Sequence, residues 1–329
     1  VLSLLLARRN ADGQRMTRYI AYRVLALVPI LLGTSFVSFG LIHLVPGDPV
    51  VAMLGLEADA QSIAALRAKL ALDEPFLLQY VAWLSNIAIG DFGRSIQGER
   101  PVAALVFTAL VPSAQLALAA LAVSLLIAIP TGVVAARHRN GPKDLAASFV
   151  ALCGLSLPSF WLGVLLILGL SVHVPLFPSS GYVPPLADPL GHLRHLALPA
   201  LTLGAALAAA TMRMTRATMI EVLRADYIRT ARAKGLPERE VVWRHALRNT
   251  TIPLVTLVGI QLGQLLGGVV VTETVFAWPG IGKLTVDAIF ARDYPVVQAT
   301  ILVTAALFVL LNLATDIAYA MLDPRIRLS

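Results

Sequence analysis

Residues able to do chemistry are few and scattered in this chain. The carboxylates Asp73, Glu74 and Asp91 lie in a polar stretch with no partner at helical spacing, so they read as turn and cap residues rather than an acid–base pair. Cys153 is the one cysteine and sits in an apolar run, which gives no disulfide, zinc or nucleophile signature. Gly280-Ile281-Gly282-Lys283 has the residue types of a phosphate loop without its spacing, and no nucleotide-binding fingerprint occurs elsewhere. His43, at the end of an apolar run, reads as an interfacial residue rather than a ligand. No catalytic or metal-ligating set is assigned, and the chain is expected not to be an enzyme by itself.

The remaining polar candidates are embedded in apolar sequence, where they cost free energy and so invite a role. Gln261 and Gln264, three apart on nearly one helix face, are candidates to line a path for polar substrate groups, with Thr272 and Glu273 at the end of the same run. The alternative is that the two glutamines hydrogen-bond a neighbouring helix. Asn312 and Asp316 share a face of the last apolar run. Asp316 is the only carboxylate deep in such a run, which would suit an ion-coupled transporter, although its place near one end favours a packing role.

The elements that must hold these groups follow from composition. Of 329 residues, 57% are apolar and 14% charged, and the mean hydropathy is +0.78, so the chain is expected to be an all-α polytopic membrane protein. Residues 1–15 read as an extension or a misassigned start. Residues 16–45 hold the first transmembrane helix, long enough for a hydrocarbon core of about 30 Å and too long for a signal-peptide core. A polar loop covers 46–110, with an amphipathic helix near 58–72. The core at 111–329 holds five further spans, near 116–136, 145–172, 196–212, 252–271 and 296–321, six in all. Pro158 should kink the third, and residues 174–196 read as a loop.

Between the fourth and fifth spans lies a polar island, part of a loop over 213–251. Ile220, Leu223, Tyr227 and Ala231 recur at helical spacing, Gly235 suits a left-handed helix terminus, and Pro237 suits the first turn of a second helix. Glu238 and Glu240 then sit at its positive end, with Arg244, His245 and Arg248 further along. Val242, Trp243, Ala246 and Leu247 make its apolar face. Two short amphipathic helices with a break at Gly235 are expected, forming either a docking surface for a protein or a basic pair on anionic lipid.

All but seven of the 26 Lys and Arg residues fall on the island's side of the membrane if the N-terminus is on that side too. The seven are Arg67, Lys69, Arg94, Arg100, Arg194, Lys283 and Arg292. The positive-inside rule therefore puts both termini and the island in the cytoplasm. It also accounts for the net charge of +7 without nucleic acid.

The run Asp226-Tyr227-Ile228-Arg229-Thr230-Ala231-Arg232-Ala233-Lys234-Gly235-Leu236 resembles the cytoplasmic coupling loop, the EAA loop, of permease subunits of bacterial ABC importers. Arg229, Thr230 and Ala231 occupy the triplet and Gly235 the glycine after it. Arg229 replaces the glutamate of the wider family, as in the peptide-importer branch. Pro46-Gly47-Asp48-Pro49, Gly90-Asp91-Phe92-Gly93, Glu273-Thr274-Val275-Phe276-Ala277-Trp278-Pro279-Gly280 and Asp323-Pro324-Arg325 resemble that branch as well, so the resemblance spans nearly the whole chain.

The resemblance implies an inner-membrane permease forming half of a pathway for di- or oligopeptides, with glutathione as a rival and nickel or opines as minor alternatives. It implies a second permease, two ATPase subunits or a fused or heterodimeric ATPase, an external binding protein and surrounding lipid as partners, with no nucleic acid. ATP and Mg would be bound by partner subunits, with no cofactor in this chain. Asp226, Tyr227, Arg229, Thr230, Ala231, Arg232, Ala233, Lys234, Gly235, Leu236 and Arg244 would couple to the ATPase. Gly47, Asp48, Pro49, Trp278, Pro279 and Gly280 would form an external lip, with Phe276 and Trp278 suited to the membrane interface. The competing classes are a secondary transporter using Asp316 and a membrane sensor or scaffold.

Overall fold

The computed structural model describes residues 25–40 and 73–322 and, between them, positions 50, 59–61, 64 and 67. The described residues are mainly helical and form two compact units. One is drawn from residues 1–111 and 280–310, the other from 112–279 and 311–329. Residues 1–15, the lip residues Gly47, Asp48 and Pro49, the closing Asp323-Pro324-Arg325 and most of the amphipathic stretch at 58–72 lie outside the described residues.

The first unit contains α1 (Leu25–Gly40), α2 (Phe76–Ala88), the start of α3 (Val102–Arg137), α10 (Ile281–Phe290) and the first part of α11 (Tyr294–Leu322). α1 and α2 meet through aromatic rings, Phe36 edge-on to Tyr80 at 5.3 Å and Phe39 against Trp83 at 5.3 Å. Val102, Val106, Ile281, Ala288 and Val296 bury a second apolar cluster. The loop before α3 is closed by its own backbone, with Val102 N donating to Gly93 O at 3.0 Å. Asp91 Oδ1 accepts from Gly93 N at 2.8 Å, the turn role its sequence context suggests. Ser95 Oγ donates to the buried carboxylate of Asp293.

The second unit contains the rest of α3, α4 (Pro142–Ser156), α5 (Ser159–Ile167), α6 (Pro189–Val222), α7 (Asp226–Ala233), α8 (Leu247–Gly268), α9 (Val270–Val275) and the end of α11. Among the described residues, α3, α6 and α11 are each long and apolar enough to cross a membrane. α4 and α5 pass the same test together but meet at a bend of 101°. Pro158 is the N-cap residue of α5, so the expected kink is a full break.

Two helices are longer than their apolar runs imply. α3 starts at Val102 and carries Pro112 within it. α6 starts at Pro189, inside the expected loop, because Asp188 accepts from Gly191 N at 2.9 Å and proline occupies the first turn. α6 then continues past the apolar run to Val222.

α3 and α6 approach closely through small residues. A Cβ at Gly132 would lie 2.7 Å from Thr215 Cβ and 2.9 Å from the Met212 carbonyl oxygen, and one at Gly204 would lie 2.8 Å from the Ala120 carbonyl oxygen. Gly132→Val should therefore destabilise the solubilised chain by about 1–3 kcal/mol through overpacking. The readout is a lower thermal unfolding midpoint. Gly33→Ala, where a Cβ meets nothing within 4 Å, should not lower it, and equal midpoints for the two variants would refute the close approach.

Candidate functional site

Beyond α6 the chain turns at Arg224–Ala225 and enters α7, whose eight residues carry an acid in the first turn, Asp226, and a base in the last, Arg232. α7 ends as the sequence suggests. Gly235 has φ +80, its N–H donates to Arg232 O at 2.9 Å, and Leu236 N donates to Ala231 O at 3.4 Å. These two bonds satisfy carbonyls that the last helical turn leaves open, and the left-handed backbone is what selects glycine.

After Pro237 the chain forms the turn Glu238–Glu240 and a wider π-helical turn, Val241–Ala246, which runs directly into α8. The second short helix expected from sequence is thus the beginning of a long one. Ile228 and Ala231 of α7 pack with Val133 and Ala136 of α3, Met219 of α6, and Val241, Val242 and Ala246. Of the expected apolar face, Ile220, Leu223 and Ala231 pack in this cluster and Tyr227 does not. Ile228 is fully buried, while Tyr227 is 42% exposed and accepts a hydrogen bond from Asn249 Nδ2 at 2.6 Å. Trp243, expected on the apolar face of the second helix, is also half exposed.

The outward side presents Asp226, Arg229, Thr230, Ala233, Lys234 and Gly235. Arg229 lies 3.3 Å from Asp226, and both are exposed, so that pair fixes little. Arg232 instead grips Glu238 across the bend with two bonds, Nη2 to Oε1 at 2.8 Å and Nε to Oε2 at 3.1 Å. The guanidinium holds the Glu238 carboxyl below its ordinary value of 4.5, and the carboxylate raises the pKa of Arg232 in turn. Arg244 pairs with Glu240 at 2.8 Å, and a shallow groove runs between Pro237, Arg239, Glu240, Trp243 and Arg244. The result is a small-residue knuckle with a basic rim, suited chemically to a partner surface that carries carboxylates.

The other candidates are dispersed. Gln261 is buried, and its Nε2 donates to Leu207 O at 3.2 Å and to Thr211 Oγ1 at 2.9 Å, both on α6. Gln264 is exposed. Thr272 and Glu273 are buried on α9, and Ser113 Oγ of α3 donates to Glu273 Oε1 at 2.6 Å. Asp316 is partly buried on α11.

Phe276 and Trp278, expected to suit a membrane interface, are both core residues. Trp278 Nε1 donates to Pro112 O at 2.9 Å, and the ring meets Tyr182 edge-on at 4.9 Å. The indole N–H finds its partner inside the protein rather than in water or lipid headgroups. Sequence reasoning missed Ser113 and Thr211, whose partners lie 160 and 50 residues away. A hydroxyl within an apolar run is the only trace of either.

Family models match nearly the whole chain. The binding-protein-dependent transport system inner membrane component matches residues 128–328, and the N-terminal model of the same system matches residues 16–130. A dipeptide transport system permease protein, DppB of Alkalihalophilus pseudofirmus, is 39% identical over 95% of this chain and 100% of its own length. A glutathione transport system permease protein, GsiC of Escherichia coli K12, is 44% identical over 95% of this chain and 99% of its own. Among solved structures, a chain of the MetNI methionine ABC transporter in inward-facing conformations has a TM-score of 0.55 and 21% identity, covering 67% of this chain and 96% of that one, a likeness of fold. From these matches, the chain belongs to the binding-protein-dependent transport system inner membrane component family.

Proposed function

We propose that this chain is the permease subunit of an ATP-driven ABC importer in a bacterial inner membrane, forming half of the pathway for di- or oligopeptides, glutathione among them, delivered by an external binding protein. The observation that carries the reading is full-length similarity to a dipeptide permease and a glutathione permease. The chain is the non-catalytic subunit, with ATP and Mg held by partner ATPase subunits and a second permease completing the pore.

In this reading the membrane is crossed six times, by the segment containing α1, by α3, by the α4–α5 pair, by α6, by α8 and by α11, with both termini in the cytoplasm. The excess of Lys and Arg on that side supports the orientation. The knuckle Asp226–Leu236, with Arg244 beside it, docks the ATPase. Closure of the ATPase pair displaces α7 and, through their continuous backbone, α6 and α8. Gln264 offers its amide to the pathway, while the buried Gln261 and Glu273 tie its helices together through Thr211 and Ser113, and Thr272 is buried beside Glu273. Gly47, Asp48 and Pro49 are assigned to the external lip by resemblance, as is the exposed Pro279, while the fully buried Trp278 anchors the turn before Pro279 from the core.

Gly235→Asp places a side chain and a charge at a left-handed position on the exposed knuckle. It should abolish co-purification of the ATPase subunits and reduce uptake of a labelled dipeptide to background. Retention of both would sink the docking assignment.

The Arg232–Glu238 grip gives a pH signature. Because the folded Glu238 carboxyl titrates below its unfolded value of 4.5, the grip contributes above that pH and is lost as pH falls through the folded value. Glu238→Gln should therefore loosen the bend at neutral pH, seen as faster amide exchange at Lys234–Glu238. The difference from wild type should shrink as the pH drops below 4.5, and a difference independent of pH would contradict the ionic grip.

A further inference from the structure

Asp144, in the first turn of α4, is 3% exposed and carries a bidentate grip on Arg216 of α6. Arg216 Nη2 donates to Oδ2 at 2.6 Å, and its Nε donates to Oδ1. The remaining acceptor capacity is taken by Asn140 N at 2.9 Å and Ser148 Oγ at 3.4 Å. Asn140 itself is in the left-handed region at φ +61, so the carboxylate also closes the turn that joins α3 to α4.

The rest of the α4–α6 contact is extensive but made of small apolar residues. Ala147 and Ala151 of α4 meet Ala208, Ala209 and Met212 of α6, and a Cβ at Gly154 would only touch Ala209 at 3.6 Å. Close packing of small residues holds two helices together in lipid, but it supplies no directional bond between them. A planar fork on a carboxylate fixes both distance and direction. Arg216 lies six residues before the end of α6, the helix that leads into the knuckle.

We propose that Asp144 and Arg216 are positioning residues that make α4 move as one body with the α6–α7 stalk, so that displacement of the knuckle reaches the broken α4–α5 pair. Without this grip, only the packing of small apolar residues would tie α4 to the displaced α6. The inference rests on the reading of Asp226–Leu236 as the ATPase-facing segment.

The test uses the complete complex in lipid nanodiscs, comprising this chain, its permease partner, the ATPase subunits and the external binding protein. The measured quantity is the ratio of ATPase activity with the binding protein to activity without it, which depends on communication between the two sides of the membrane. Removing one charge alone would strand the other, so the main variant is the neutral pair Asp144→Asn with Arg216→Gln, and Arg216→Lys retains charge without the fork. The neutral pair should assemble and keep basal ATPase activity, while the stimulation ratio falls about five-fold or more, the scale of a coupling free energy between sites. Arg216→Lys should fall between the neutral pair and wild type.

An unchanged ratio in the neutral pair would overturn the proposal, as would a loss that only tracks reduced assembly, the result expected of a purely structural salt bridge. A wild-type chain that recruits no ATPase would overturn the proposed function and this inference with it. Normal stimulation in both wild type and variant would overturn this inference alone.

Discussion

The approach of α6 to α3 is the constraint on which the second unit depends. At Gly132 and Gly204 the two helices come so close that a single added carbon would meet the opposing backbone. Such proximity compensates for the missing hydrophobic drive between helices in lipid by maximising van der Waals contact. It also fixes α6 along much of its 34 residues, up to the fully buried Met219 near its end. The knuckle at 226–236 follows that end and rests on the end of α3 through Ile228 and Ala231.

Much of the site was legible because its signals are local. Gly235 and Pro237 set a helix end and a restart through preferences of individual residues, and the structure has both where the residues stand. Pro158 likewise marks the break between α4 and α5. The helix bounds were less legible. α3 and α6 outrun their apolar runs because hydropathy marks the part suited to hydrocarbon, while caps such as Asp188 decide where the helix starts. The shift from Tyr227 to Ile228 on the buried face has a similar origin. In an eight-residue helix that buries Ala231 as expected, which of two neighbouring residues is buried beside it depends on what the helix packs against, here α3, about a hundred residues earlier in the chain.

The partners in long-range pairings were not legible, even for Gln261, whose bond to a neighbouring helix was one of the two expected roles. Asp144 and Arg216 are 72 residues apart, and each looks in sequence like a charge at the margin of an apolar run. Trp278 looked like an interfacial tryptophan because the residue type is amphipathic. Its choice of the Pro112 carbonyl over a headgroup belongs to the tertiary structure. Sequence supplies the donor, and only the fold supplies the acceptor.

The same asymmetry changes how polar groups in apolar helices should be read. Gln261 reaches Thr211, Glu273 accepts from Ser113, and Asp144 holds Arg216, so each bridges two different helices of the second unit. Leaving such a group buried without a partner costs more than its hydrogen bond contributes, which makes each pair a strong statement about which helices must stay together. The polar residues inside these helices therefore act first to preserve helix register.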